Sequence, residues 1–180
     1  IDTLVVIDDS IVRGTTLEKS IIRILDRLGP KKIIILSSAP QIRYPDCYGI
    51  DMSKMHEFIA FRAMINLLKS KGLENQLADT AQQIKTAFRD GNADQKNYVK
   101  SLYDQFTPDE ISKEISSIVK PQSIFSDVEV IYQSLEGLSF ACPDHTGQWY
   151  FDGHYPTPGG RRVVNQAFLN FMEGKNVRAY

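Results

Sequence analysis

Two adjacent carboxylates, Asp8 and Asp9, follow the apolar run Thr3-Leu4-Val5-Val6-Ile7 and lead into Ser10-Ile11-Val12-Arg13-Gly14-Thr15-Thr16. Glycine at position 14 permits positive φ or close approach of the backbone to a ligand. Thr15, with Glu18 three residues on, has the pattern of a capping box at a helix start. The first N–H groups of such a helix, and its dipole, suit a phosphate. Two carboxylates touching that phosphate would repel it, so they are better matched to hydroxyls or to a divalent cation. A phosphorylated sugar accompanied by Mg²⁺ meets all of these requirements. A strand ending in an Asp-Asp turn before a capped helix fits the same spacing without any ligand, and spacing alone leaves both readings open.

The elements that must hold these residues are readable on either side. Lys32-Ile33-Ile34-Ile35-Leu36-Ser37 is a second continuous apolar run, and both runs are expected to be strands covered on both faces. Between them Leu17, Ile21, Ile24, Leu25 and Leu28 recur at steps of three and four. Glu18, Lys19, Arg23, Asp26 and Arg27 line the opposite side, and Gly29-Pro30 stops the helix. Strand, helix and strand make a parallel βαβ unit, and open α/β sheets bind ligands at the carboxyl ends of such strands.

Farther on, the period changes to 3.6. Phe58, Phe61, Ile65 and Leu68, then Leu77, Ala81, Ile84 and Phe88, then Tyr98, Leu102 and Phe106, then Ile111, Ile115 and Ile118 predict four amphipathic helices. Thr107-Pro108-Asp109-Glu110 supplies an N-cap, a proline at the first position and a capping-box glutamate for the last of them. Val128 to Tyr132 alternates as a strand, Ser134 to Cys142 suits a short helix, and a final helix is expected from Arg161 to Glu173.

Composition narrows the classes. The 180 residues are 42% hydrophobic and 24% charged with a formal charge of −1, which describes a globular chain without the basic footprint of a nucleic-acid binder. Strongly apolar stretches such as Ile33 to Leu36 are far too short to span a bilayer, so no membrane association is expected. Two separated cysteines, Cys47 and Cys142, suit a reducing, cytoplasmic setting and are expected to pack rather than react.

The segment from Val5 to Thr16 resembles the phosphoribosyl pyrophosphate (PRPP) motif of type I phosphoribosyltransferases, in the version used by glutamine amidophosphoribosyltransferases. Ser37-Ser38-Ala39-Pro40-Gln41-Ile42-Arg43-Tyr44-Pro45-Asp46-Cys47-Tyr48-Gly49-Ile50-Asp51-Met52 is similar to the segment that follows in the same family. Weaker similarity lies in Tyr132-Gln133-Ser134-Leu135 and in Phe151 to Thr157.

The resemblance implies an α/β fold in three parts. Residues 1–52 would hold part of a type I phosphoribosyltransferase core, 53–121 a large all-helical insertion, and 122–180 a C-terminal α/β segment that completes the core and ends in a helix. It implies that Asp8 and Asp9 hold the ribose hydroxyls and Mg²⁺, while Ser10, Arg13, Gly14, Thr15 and Thr16 surround the 5′-phosphate. The implied reaction is that of a glycosyltransferase: ammonia displaces pyrophosphate from PRPP to give 5-phosphoribosylamine, the first step of purine biosynthesis. The chain then reads as a C-terminal portion, inactive alone, of an enzyme whose N-terminal glutaminase domain supplies the ammonia. Homo-oligomerisation and feedback by purine nucleotides belong to the same expectation. Asp46 stands where a cluster cysteine would be, Cys47 is shifted by one and Ser139 replaces another, so no iron–sulfur cluster is expected. The rival readings are a PRPP- or nucleotide-binding regulatory module without chemistry, and a salvage phosphoribosyltransferase acting on a free base.

Other candidates read more simply as structural. His56, His145 and His154 share no metal-ligand spacing and suit surface or capping roles. Arg43 and Tyr44 could meet a ligand or turn the chain between Pro40 and Pro45. Trp149, Tyr150, Phe151 and Tyr155 suit a core or an interface, and Gly159-Gly160-Arg161-Arg162 suits a hinge before a helix.

Overall fold

A computed structural model describes residues 2–50 and 52–180. It is a mixed α/β fold with a three-stranded, all-parallel sheet in the order β1-β2-β3: β1 Thr3–Asp8, β2 Lys32–Ser37 and β3 Asp127–Tyr132. Among the described residues no helix is long and apolar enough to cross a membrane. The chain forms two compact units, each discontinuous in sequence: Ile1–Ile42 with Thr107–His145, and Arg43–Phe106 with Thr146–Tyr180.

In the first unit, β1 passes through a π-helical turn, Leu17–Ile21, into helix α1, Ile22–Asp26. The π turn corrects the helical face expected from a 3.6 period. A wider turn shifts the phase of everything after it, so Leu17 and Ile22 are the buried anchors at 3% and 0% exposure, while Ile24 and Leu28 face outward. Gly29, at φ 72°, ends the segment ahead of Pro30 as the sequence implies.

The expectation that both strands are covered on both faces is overturned for β1. It is an edge strand on which Thr3, Val5 and Ile7 are exposed, and only the central β2 alternates between half-buried and fully buried positions. Helices pack on the face bearing Ile33, Ile35 and Val130, where each buried isoleucine contributes about 1.5–3 kcal/mol.

Part of that cover comes from α5, Pro108–Val119, which packs on β3. The capping box is present: Glu110 N–H donates to Thr107 Oγ1 at 3.2 Å, and Thr107 N–H to Glu110 Oε2 at 2.8 Å. Ser116 Oγ accepts from Val130 N–H at 2.9 Å, and Gln41 Nε2 donates to the Pro108 carbonyl and to Ser112 Oγ, both at 2.8 Å. Gln41, in the second resembling segment, therefore anchors α5. A short helix, α6 Leu135–Ala141, is capped by Ser134. Cys142 follows it exposed, against the expectation that it packs.

Asp26 closes the unit. Its Oδ1 accepts from Ser126 Oγ at 2.6 Å, Ser126 N–H at 2.9 Å and Phe125 N–H at 3.2 Å. The Ser126 hydroxyl first, then its N–H, hold the carboxyl below the ordinary carboxylate range. A depressed carboxyl contributes stability that is complete above its unfolded value and is lost as pH falls through the folded one. Acidification below about pH 4 therefore removes this contribution. Asp26→Asn is expected to flatten that part of the stability–pH curve, as read from urea midpoints, and an unchanged curve would contradict the assignment.

The second unit is helical: α2 Ile59–Ser70, α3 Asn75–Arg89, α4 Lys100–Tyr103, α7 Trp149–Asp152 and α8 Pro158–Met172, with a 3₁₀ turn at Met55–Glu57. Phe61 meets Phe168 and Phe171 edge to face. The third expected helix shrinks to the single turn of α4, because Asn97 and Asn165 organise the preceding loop instead. Asn165 Nδ2 donates to the Ala93 and Lys96 carbonyls at 2.8 and 2.7 Å, and its Oδ1 accepts from Tyr98 N–H at 3.1 Å.

Candidate functional site

The acidic pair sits where β1 ends, with Asp8 its last residue and Asp9 immediately after. Ladder-like bonding continues past the strand: Ser38 N–H donates to the Asp8 carbonyl at 2.9 Å and Ala39 N–H to that of Asp9 at 3.1 Å. The segment after β2 thus fixes the backbone from which both carboxylates project. Asp9 Oδ1 accepts from Ser10 N–H at 2.6 Å. Burial raises the Asp8 carboxyl above its ordinary value, and the nearby Asp9 charge adds to this although the Asp9 N–H partly offsets it. Two like charges held together in this way are what a divalent cation would relieve.

Ile11, 3% exposed, anchors the loop from below and leaves Ser10, Arg13, Thr15 and Thr16 at or near the surface. Gly14 adopts φ 70°, and its carbonyl accepts from Glu18 N–H at 3.0 Å. Gly14, not Thr15, is therefore the residue from which the helix starts. Thr15 and Thr16 already lie in the helix, and no side chain caps it at Thr16. The capping box expected at Thr15 is corrected accordingly. A glycine at the start offers no side chain of its own to cap the first N–H groups, which suits an anion better than a capped start would.

All seven residues expected at the site, Asp8, Asp9, Ser10, Arg13, Gly14, Thr15 and Thr16, thus lie on one strand end, one loop and one helix start. For a metal, the pair Asp8 and Asp9 fits Mg²⁺, which is typically held by one or two carboxylates while substrate phosphates and water complete its shell. Among the described residues no group of three or more His, Cys, Asp or Glu side chains gathers as a closed metal cage.

The remaining candidates take structural places within the second unit. Tyr44, 1% exposed, packs edge to face on Tyr103 at 5.2 Å, and Arg43 lies over the same ring. Tyr155 donates to the Pro45 carbonyl at 2.7 Å. Asp46 Oδ1 accepts from Tyr48 N–H at 2.8 Å and from Gly49 N–H, forming a turn. Cys47 is half-buried, and burial followed by the Asp46 charge pushes its thiol up, away from reactivity. His154 Nδ1 lies 3.2 Å from Asp152 Oδ2. A cavity of about 400 Å³ is lined by Lys96, Lys100, Asp104 and Arg161 among others. Lys100 pairs with Asp104 at 2.6 Å, Arg161 donates to the Asp94 and Tyr155 carbonyls, and Lys96 lies over the Tyr98 ring at 4.9 Å.

A three-stranded parallel sheet whose first strand ends at an acidic pair and leads through a short loop into a glycine-started helix is consistent with part of a phosphoribosyltransferase-like core. Comparison with curated proteins sharpens that class, because the chain is similar to amidophosphoribosyltransferases. It is 52% identical to the Pasteurella multocida protein of that name over 58 residues, 32% of this chain and 11% of the relative. It is 36% identical to the Escherichia coli protein over 101 residues, 56% of this chain and 20% of the relative. With the Saccharomyces cerevisiae protein it shares 43% over 58 residues, again 32% of this chain and 11% of the relative. The chain thus matches between about a tenth and a fifth of the length of these relatives. No family model matches the chain.

Proposed function

We propose that this chain supplies the PRPP-binding loop of an amidophosphoribosyltransferase that makes 5-phosphoribosylamine for purine synthesis. The observation that carries the reading is the placement of Asp8-Asp9 and the Gly14-started helix together at the carboxyl edge of the sheet. The relatives' shared name supports it. Asp8 and Asp9 take the ribose hydroxyls and Mg²⁺, and Ser10, Arg13, Thr15, Thr16 and the N–H groups after Gly14 take the 5′-phosphate. In the reaction the bond from the anomeric carbon to pyrophosphate breaks and a bond to ammonia nitrogen forms, with a proton leaving the nitrogen. When bound, Mg²⁺ supplies positive charge against the departing pyrophosphate. The residues of this chain hold the ribose and its phosphate while charge develops at the anomeric carbon. Ammonia is drawn from glutamine by a glutaminase domain elsewhere in the protein, and turnover requires the rest of the phosphoribosyltransferase site.

The test is pyrophosphate release from PRPP by the natural full-length protein. Release that depends on ammonia or glutamine is expected. Release that depends on a free purine or pyrimidine base would make the protein a salvage enzyme, and PRPP binding without release would make it a regulatory module.

A further inference from the structure

The sheet register brings to the acidic pair a residue that lies outside the Val5 to Thr16 segment. Asp8 pairs with Ser37, and Ser37 with Tyr132, so the three occupy one rung at the carboxyl ends of β1, β2 and β3. Paired residues share a face, here the covered face that carries Ile33, Ile35 and Val130. The middle residue is small, and its hydroxyl is turned to its own loop, where Ser37 Oγ donates to the Ala39 carbonyl at 2.8 Å. The hydroxyl of Tyr132 is buried and, among the described residues, has no hydrogen-bond partner. Burial raises its pKa, and the charged neighbour that adds to the rise is Asp8. Buried hydroxyls are rarely left unpaired, and an orphan beside a ligand site points to a partner acquired on binding. Asp8 is meanwhile crowded by the Asp9 carboxylate.

We propose that Tyr132 is a positioning residue: when the acidic pair takes up the ribose hydroxyls and Mg²⁺, the Tyr132 hydroxyl donates to the Asp8 carboxylate and fixes its orientation. This rests on the reading of Asp8 and Asp9 as the PRPP diol and metal site, and it adds a residue from the third strand, more than 120 positions away in sequence. The bond is charge-assisted, so its loss is expected to weaken binding by roughly 10-fold or more.

The test is Tyr132→Phe in the natural full-length protein, titrated with Mg²⁺ and PRPP, with inorganic phosphate as competitor, and melted without ligand. The expected result has three parts. Affinity for Mg²⁺-PRPP falls about 10-fold or more. Competition by phosphate, which reports the Gly14 helix start, is unchanged. The ligand-free melting temperature stays level or rises by about 2–4 °C, because an unpaired buried hydroxyl has been removed. Unchanged PRPP affinity overturns the inference, as does a parallel loss of phosphate and PRPP binding with a lowered melting temperature, which would mark Tyr132 as packing only. A wild-type protein that binds no PRPP removes the reading of the acidic pair itself, a failure distinct from that of the variant.

Discussion

Replacing both Asp8 and Asp9 by asparagine is expected to lower Mg²⁺-dependent PRPP affinity by about 10²–10⁴-fold, since two charge-assisted contacts are lost together. Asparagine keeps the size of each side chain and an oxygen that can still accept from the Ser10 N–H, so the backbone bonds from Ser38 and Ala39 to this segment should survive. Stability should move the other way. The Asp8 carboxyl is raised by burial and by its neighbour's charge. A raised carboxyl disfavours the fold once pH has risen through the folded value, so at neutral pH the neutral variant should melt no lower than wild type. Calorimetric titration and thermal melting of the same preparations separate the two effects. A variant that retains wild-type PRPP affinity would remove the acidic pair from the site, and one that loses affinity only because it unfolds would leave the pair a structural role.

The second large effect is on stability, and it falls at Gly153. This residue follows α7 at φ 74°, and a Cβ there would lie 2.6 Å from Asn97 Nδ2 and 2.7 Å from Tyr44 Cζ. Both neighbours are fixed: Asn97 donates to the Gly153 carbonyl at 3.0 Å, and Tyr44 is locked against Tyr103. Gly153→Ala is expected to destabilise the protein by about 2–4 kcal/mol, combining left-handed strain with overpacking. A lowered urea midpoint with unchanged m-value would show it, and an unmoved midpoint would mean that the Tyr44–Asn97 packing yields freely.

Much of the site was legible from residues close in sequence. The β-branched run ending in Asp8-Asp9, the glycine before a helix and the Gly29-Pro30 stop are local signals, as is the Thr107 capping box. The errors came where the deciding physics is not local. Exposure of Val5 and Ile7 follows from β1 being an edge strand, which depends on the order of strands in the sheet. The phase of α1 follows from a π turn that a 3.6-residue template cannot anticipate. At the helix start the spacing favours Thr15 as the cap, and only the backbone places the start at Gly14. The helix from Pro108 reads as one more amphipathic segment of the helical run, yet it packs on β3, because Gln41 and Val130 bind it from far along the chain. Tyr132 was visible as the end of a strand, but its rung with Asp8 exists only through the register of two strand pairs.

The most direct test of the central claim is a calorimetric titration of the purified chain with PRPP, with and without Mg²⁺. The account predicts saturable binding that requires Mg²⁺ and disappears in the Asp8→Asn, Asp9→Asn variant. Binding that ignores both Mg²⁺ and the acidic pair would contradict it, as would no binding by either this chain or the natural full-length protein.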